Sequence, residues 1–161
     1  MRKLILVAAG AGAVLATPAY ANTADLDVTA TVEDSCTVSD TTMTFPTMSV
    51  VNGTNHDSSA TVSLTCTLGA DYNVSLDMGL QEDTGAGVRR LHDSTTGEYI
   101  PYDLYHTSVG GTLWDDTVVY DPAGTATGGA DSFVVFGRIP STAANVTAGT
   151  YTDTVTITIG F

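Results

Sequence analysis

The chain has 161 residues, with 18 Asp and Glu against 5 Lys and Arg, a formal net charge of −13, and 43% hydrophobic residues. A chain so acidic is repelled by the phosphates of nucleic acid and by anionic lipid alike, which excludes nucleic-acid binding. The hydrophobic content excludes disorder and is enough for one buried core.

The first element is a secretory signal. Arg2 and Lys3 precede an apolar run over residues 4–15, and Ala19, Tyr20 and Ala21 form the small-x-small pattern that a signal peptidase cuts. The run is too short for a stable anchor, and no later stretch is long and apolar enough to cross a bilayer, so no membrane insertion is expected. Cleavage after Ala21 leaves 140 residues, in which 18 acids face only Arg89, Arg90 and Arg138, a net charge of −15. No lysine remains, which removes Schiff-base chemistry, a P-loop and Lys-to-Asn isopeptide cross-links.

The mature part has no helical period. Its 27 threonines, β-branched, suit pleated surfaces, and its apolar residues recur with a period of two. Ala24, Leu26, Val28, Ala30 and Val32 alternate with polar residues, which predicts a strand over 24–33 with one apolar face. Cys36 follows and Cys66 lies 30 residues later; two thiols in an exported chain predict a structural disulfide. A second alternation, Val62, Leu64, Cys66 and Leu68, and a third, Tyr72, Val74, Leu76 and Met78, predict two more strands. Further strands are expected at 99–105 and 132–139, with short ones at 88–92 and 117–120, separated by Gly-rich turns such as residues 84–87, 110–111 and 128–129. The last strand runs over 151–161, with Tyr151, Val155, Ile157, Ile159 and Phe161 on one face and threonines on the other. Seven or so strands in 140 residues predict a single all-β domain, an immunoglobulin-like sandwich.

The two ends of this pattern do not balance. An amphipathic strand opens the mature chain, and no later sequence covers the edge of the amphipathic strand that ends at Phe161. An exposed apolar edge is an aggregation template. The first strand therefore either folds back on the last or is lent to another molecule.

The residues Asp34-Ser35-Cys36-Thr37-Val38, Phe45-Pro46, Leu64-Thr65-Cys66, Gly69-Ala70-Asp71-Tyr72-Asn73-Val74 and Arg89-Arg90-Leu91 occur in an order that carries a resemblance. So do Ile100-Pro101-Tyr102-Asp103-Leu104-Tyr105, Trp114, Phe136-Gly137-Arg138-Ile139-Pro140 and Gly149-Thr150-Tyr151-Thr152-Asp153. Over its whole mature length the chain resembles the archaic (Csu-type) chaperone–usher pilins, which carry a spore-coat-protein-U-like domain. The resemblance implies a non-enzymatic structural subunit without cofactors, whose incomplete immunoglobulin-like sandwich is completed by a donor strand from a neighbouring subunit. It implies a division into a signal peptide (1–21), a donor-strand extension (22–35) and a pilin domain (36–161). Leu26, Val28, Ala30 and Val32 would be the donor side chains, and Val155, Ile157, Ile159 and Phe161 would border the acceptor groove. The implied partners are further copies of the chain, a periplasmic chaperone and an outer-membrane usher. The implied location is the cell surface, in a pilus that supports adhesion and biofilm formation. Two alternatives are a surface coat protein built on the same domain and a secreted, self-complemented carbohydrate-binding module.

Other features read more plainly. His56, His92 and His106 are too scattered for a metal or catalytic site. Asp115, Asp116 and Asp121, and Glu82 with Asp83, lack the regular spacing of a calcium loop and read as solvated acids. Glycosylation sequons begin at Asn52, Asn73 and Asn145 and mean little in the bacterial host that the resemblance implies. Trp114 and the tyrosines at 99–105 read as core or subunit packing rather than as a sugar-stacking platform.

Overall fold

A computed structural model of the chain describes residues 20–49, 53–115, 117, 126–143 and 145–161. These fall into two units, residues 20–31 and Val32–Phe161.

In the first unit, residues 20–31 form neither helix nor strand nor turn, and every one is exposed. Leu26 is 85% and Val28 82% exposed, and Val32, just inside the second unit, is 81% exposed. The strand expected over 24–33 is thus absent from the isolated chain. The reason is physical: alternation favours a strand only where a ladder partner and an apolar surface are supplied. Neither is paired with these residues here.

The second unit is all-β. Strand β1 (Cys36–Val38), β2 (His56–Cys66), β3 (Asn73–Leu76), β4 (Arg89–His92), β5 (Tyr99–Tyr105), β6 (Ala130–Ile139) and β7 (Ile157–Gly160) form two antiparallel sheets. One has the order β1-β2-β6-β5-β4 and the other pairs β3 with β7. The long ladder joins β2 to β6, placing Val62 opposite Phe133 and Ala60 opposite Val135. Along β2 the residues Ala60, Val62, Leu64 and Cys66 are buried while those between them are exposed, the period-two pattern of a half-buried strand. Phe133, Val135 and Ile139 do the same on β6, and Ile100, Tyr102 and Leu104 on β5. From the smaller sheet Val74 and Leu76 close on this layer, and Trp114, fully buried, packs 5.5 Å from the Phe133 ring.

Cys36 and Cys66 stand opposite one another in the β1–β2 ladder and form a disulfide. β1 is therefore held to β2 covalently, although its ladder is only three residues long. The terminal strand expected over 151–161 is shorter in the fold. Only Ile157–Gly160 makes a continuous ladder, while residues 151–156 pair singly through Thr152 with His92, Thr154 with Leu80 and Thr156 with Asp77. A turn at Gly79, left-handed at φ +79, interrupts the partner strand and so breaks the ladder. The short strand expected at 117–120 lies, apart from Thr117, outside the described residues, as do residues 1–19 of the expected signal peptide.

Candidate functional site: the open edge of the sandwich

Well-packed interiors contain few voids larger than a water molecule. Between the two sheets of this domain lies a cleft of about 380 Å³, room for roughly a dozen waters at ~30 Å³ each. Its floor is apolar and drawn from both sheets: Ala60 and Val62 of β2, Val135 of β6, Leu104 of β5, Leu91 of β4 and Leu76 of β3. One wall is the terminal segment, through Asp153, Val155 and Ile157; the other is the segment before β2, through Met43 and Phe45. The core is therefore unfinished along one edge.

The backbone along that edge is unfinished too. Among the described residues β7 has one neighbour, β3. The Asp77 amide donates to the Thr156 carbonyl, the Leu80 amide to Thr154, and Thr152 and His92 exchange both backbone bonds. Even-numbered residues of the terminal segment thus turn their backbone groups inward to the sheet. In an antiparallel ladder the alternate residues face the other way, so Val155, Ile157 and Ile159 turn theirs to the open side. Their side chains are half-buried against the core.

Polar groups close one end of the cleft. The Tyr102 hydroxyl donates to Asp153 Oδ2 across 2.7 Å, and Asp153 Oδ1 accepts from the amides of Gln81 and Thr154. Burial, then the neighbouring Asp153 carboxylate, pushes the Tyr102 phenol above its ordinary range. Arg89, 3% exposed, donates to the Asp77 carbonyl at 3.0 and 2.6 Å and to that of Leu76 at 3.4 Å. Burial lowers its pKa, opposed by Tyr102 and nearby carboxylates. It fixes the end of β3 against which the terminal segment lies.

Of the residues expected at an acceptor groove, Val155 and Ile157 line the cleft, Ile159 is half-buried beyond it, and Phe161 is 61% exposed. Met43 and Phe45 are not legible from periodicity, because residues 39–48 form no regular strand beyond β1. The signal for them is Gly137. It sits on the buried face of β6 between Val135 and Ile139, and a Cβ there would stand 2.5 Å from Met43 Sδ and 2.9 Å from Phe45 Cζ. A glycine on an inward strand position marks a close approach by something else.

The extension leaves the domain at a fixed root. The Ser35 amide donates to Thr67 Oγ1 at 3.1 Å, the Thr67 amide to the Ser35 carbonyl at 2.8 Å, and Thr67 Oγ1 to the Glu33 carbonyl at 3.3 Å. This root lies at the end of β2, beside the Cys36–Cys66 bridge.

Among the described residues no three His, Cys, Asp or Glu side chains gather to hold a metal ion. His92 stacks on Tyr99 and His106 meets Trp114 edge-on; Asp83 is engaged by Arg90, and Asp115 accepts from Thr117. Asp116, Asp121 and Asn52 lie outside the described residues.

Residues 22–158 match the Spore Coat Protein U domain. The chain belongs to that family. No curated protein matches it. Among solved structures it is similar to one chain of the crystal structure of the CsuC-CsuE chaperone-tip adhesion subunit pre-assembly complex from archaic chaperone-usher Csu pili of Acinetobacter baumannii. The TM-score is 0.61 at 24% identity, over 81% of this chain and 40% of that one. The likeness gives this Spore Coat Protein U domain its fold, a two-sheet immunoglobulin-like sandwich; the chain spans well under half the length of the chain it matches.

Proposed function

We propose that this protein is a structural subunit, not an enzyme, of a cell-surface pilus assembled by the chaperone–usher pathway through donor-strand complementation. The observation that carries the proposal is the coexistence, in one chain, of an unfilled apolar cleft with an unpaired backbone edge and an exposed, amphipathic extension at residues 22–35. Strand addition at such an edge supplies main-chain bonds for affinity and side-chain pockets for specificity. Because lender and acceptor are different surfaces, the contact is heterologous and propagates as a fibre. The similar Csu structure, a chaperone–subunit pre-assembly complex of chaperone-usher pili, supports a periplasmic chaperone and an outer-membrane usher as the partners of this chain. On this reading residues 1–21 are a cleaved signal, 36–161 the pilin domain, and the fibre serves adhesion and biofilm formation at the cell surface.

The topology favours one orientation of the incoming strand. β3 begins at Asn73, a few residues after β2 ends at Cys66, and Gly160 pairs with Asn73, so the terminal strand finishes at the pole where the extension is rooted. A parallel insertion would bring the donor's body to that same pole. Antiparallel insertion places donor and acceptor at opposite poles and lets the chain grow linearly.

The test is a fusion carrying residues 24–33 behind Phe161 through a short turn, with residues 22–33 deleted from the front. It should be a monomer that melts cooperatively. The same deletion without the added strand should aggregate or stay bound to its chaperone. A bare deletion that is equally monomeric and heat-resistant would replace the pilin reading with a self-contained binding module.

A further inference from the structure

The cleft is unevenly lined along the terminal segment, and this bears on the register of a donor strand. Its lining includes Asp153, Val155 and Ile157 of the terminal segment but reaches neither Ile159 nor Phe161. Space for large side chains therefore exists opposite positions 155 and 157. At position 153 the wall carries the Asp153 carboxylate, bound by Tyr102, and space for apolar volume ends.

The inward residues of the extension are unequal as well: Ala24, Leu26, Val28, Ala30 and Val32. An antiparallel ladder allows these to slide past the terminal segment in steps of two. Placing Leu26 against Phe161 puts Val28 against Ile159, away from the cleft, and sets Asp34 opposite Asp153, where like charges are destabilising. One step further along, Val32 covers the Asp153 carboxylate and only Ala30 faces Val155 of the cleft lining. The next step sets Leu26 against Ile157, Val28 against Val155 and Ala30 against Asp153. It puts Leu26 and Val28 against the part of the cleft lined by Ile157 and Val155, the small Ala30 where the wall is polar, and Val32 beyond it opposite Tyr151.

Resting on the donor-strand reading, we infer that the cleft takes the extension of a second copy of this chain in that last register, with Ala30 lying over the Tyr102–Asp153 pair. Ala30 is small because it lies over that pair, and filling the position with a larger residue would work against assembly.

The register can be read by cross-linking. Even-numbered residues of the terminal segment turn their backbones away from the open edge, so their pairs with a donor strand are of the non-hydrogen-bonded kind, in which side chains approach most closely. The Cys36–Cys66 bridge occupies that kind of pair in this fold: the flanking bonds run from Thr67 to Ser35 and from Ser39 to Ser63, and the Cα atoms are 4.0 Å apart. Thr29→Cys should therefore be combined, one at a time, with Thr154→Cys, Thr156→Cys and Thr158→Cys. All four threonines are exposed, so the core is undisturbed. In fibres assembled from the full chain by cells supplying chaperone and usher, the 29/154 pair should give a reducible ladder of covalent multimers under mild oxidation. The other two should leave subunits that separate in detergent. The Thr31→Cys and Thr152→Cys combination, one pair further along the same register, should ladder too. A ladder from 29/156 or 29/158 would overturn the register and leave the donor-strand reading standing. Fibres that form but ladder with no pair would overturn antiparallel insertion. A disulfide formed within a soluble monomer would overturn the donor-strand reading itself.

Discussion

The Tyr102 hydroxyl and the Asp153 carboxylate, 2.7 Å apart, tie β5 of the larger sheet to the terminal segment that borders the open cleft. The bond crosses the sandwich beside its unfilled core. Tyr102→Phe keeps the ring and removes the donor. Hydrogen bonds to charged groups contribute about 1.5–3 kcal/mol. A loss of that size is expected in urea unfolding of the fused, self-complemented protein. An unchanged midpoint would show that the carboxylate is held well enough by the Gln81 and Thr154 amides alone.

The Cys36–Cys66 bridge closes a 30-residue separation. On the loop-entropy model that constraint destabilises the unfolded chain by about 3.6 kcal/mol. Intact-mass measurement of the mature protein should find it two protons lighter than the reduced form. Reduction should free β1, whose three-residue ladder is otherwise its main tie to β2, and lower the melting temperature. A thiol that titrates at either position without denaturant would contradict the pairing.

Assembly should depend on one face of the extension. On the proposed donor-strand role, Val28→Asp places a charge where an apolar side chain would enter the cleft, and an unpaired buried charge is strongly disfavoured. Thr29→Asp puts the same charge on the opposite face, toward solvent. Fibre yield by electron microscopy should collapse for the first and persist for the second. Equal loss for both would count against the assigned face.

Gly137 is the smallest residue on the buried face of β6, and the space above it belongs to Met43 and Phe45. Gly137→Ala should destabilise the domain by about 1–3 kcal/mol through overpacking, near the lower end because a methionine side chain adapts readily. Adding Met43→Ala should recover part of that loss. A neutral Gly137→Ala, measured by the urea midpoint, would mean that the segment before β2 moves aside without cost.

How much of this was legible in advance follows from what alternation encodes. β2, β5 and β6 are legible as strands, and the burial of Val62, Leu64 and Cys66 follows from the alternation along β2. Alternation reports a buried face, however, and not a ladder. Residues 151–156 carry the pattern of a strand yet pair only at intervals, since the turn at Gly79 removes their partner. Residues 24–33 carry it too and join no ladder among the described residues, so an unfulfilled pattern is itself the clue to function. Contacts between distant residues leave no local pattern. Tyr102 and Asp153 are 51 residues apart, and Arg89, of a residue type almost never fully buried unless paired, is buried because two carbonyls at the end of β3 need its donors.

Acid should loosen the terminal segment at its start before it reaches the rest of the sandwich. Two carboxylates bind the β4–β5 turn and the loop that leads into that segment. Glu98 accepts from the Thr147 amide at 2.6 Å and from the Tyr151 hydroxyl at 2.9 Å, and these bonds, the Thr147 amide first, hold its pKa below the ordinary value. Asp93 accepts from the Thr95 amide at 2.7 Å, with Thr96 and Thr150 adding to the effect, and its pKa is lowered as well. A group whose folded pKa is depressed contributes stability that is present above its unfolded pKa, about 3.9 for Asp and 4.3 for Glu, and is lost as pH falls through the folded value. Stability should therefore be flat from neutrality down to about pH 5 and decline below about pH 4. Glu98→Gln keeps the side-chain shape but removes the charge, so it should lower stability at pH 7 and flatten part of the acid decline. Amide hydrogen exchange at residues 147–152 is the direct readout. Protection there that is indifferent to pH between 6 and 3, in a sandwich still folded, would show that these carboxylates do not secure the segment.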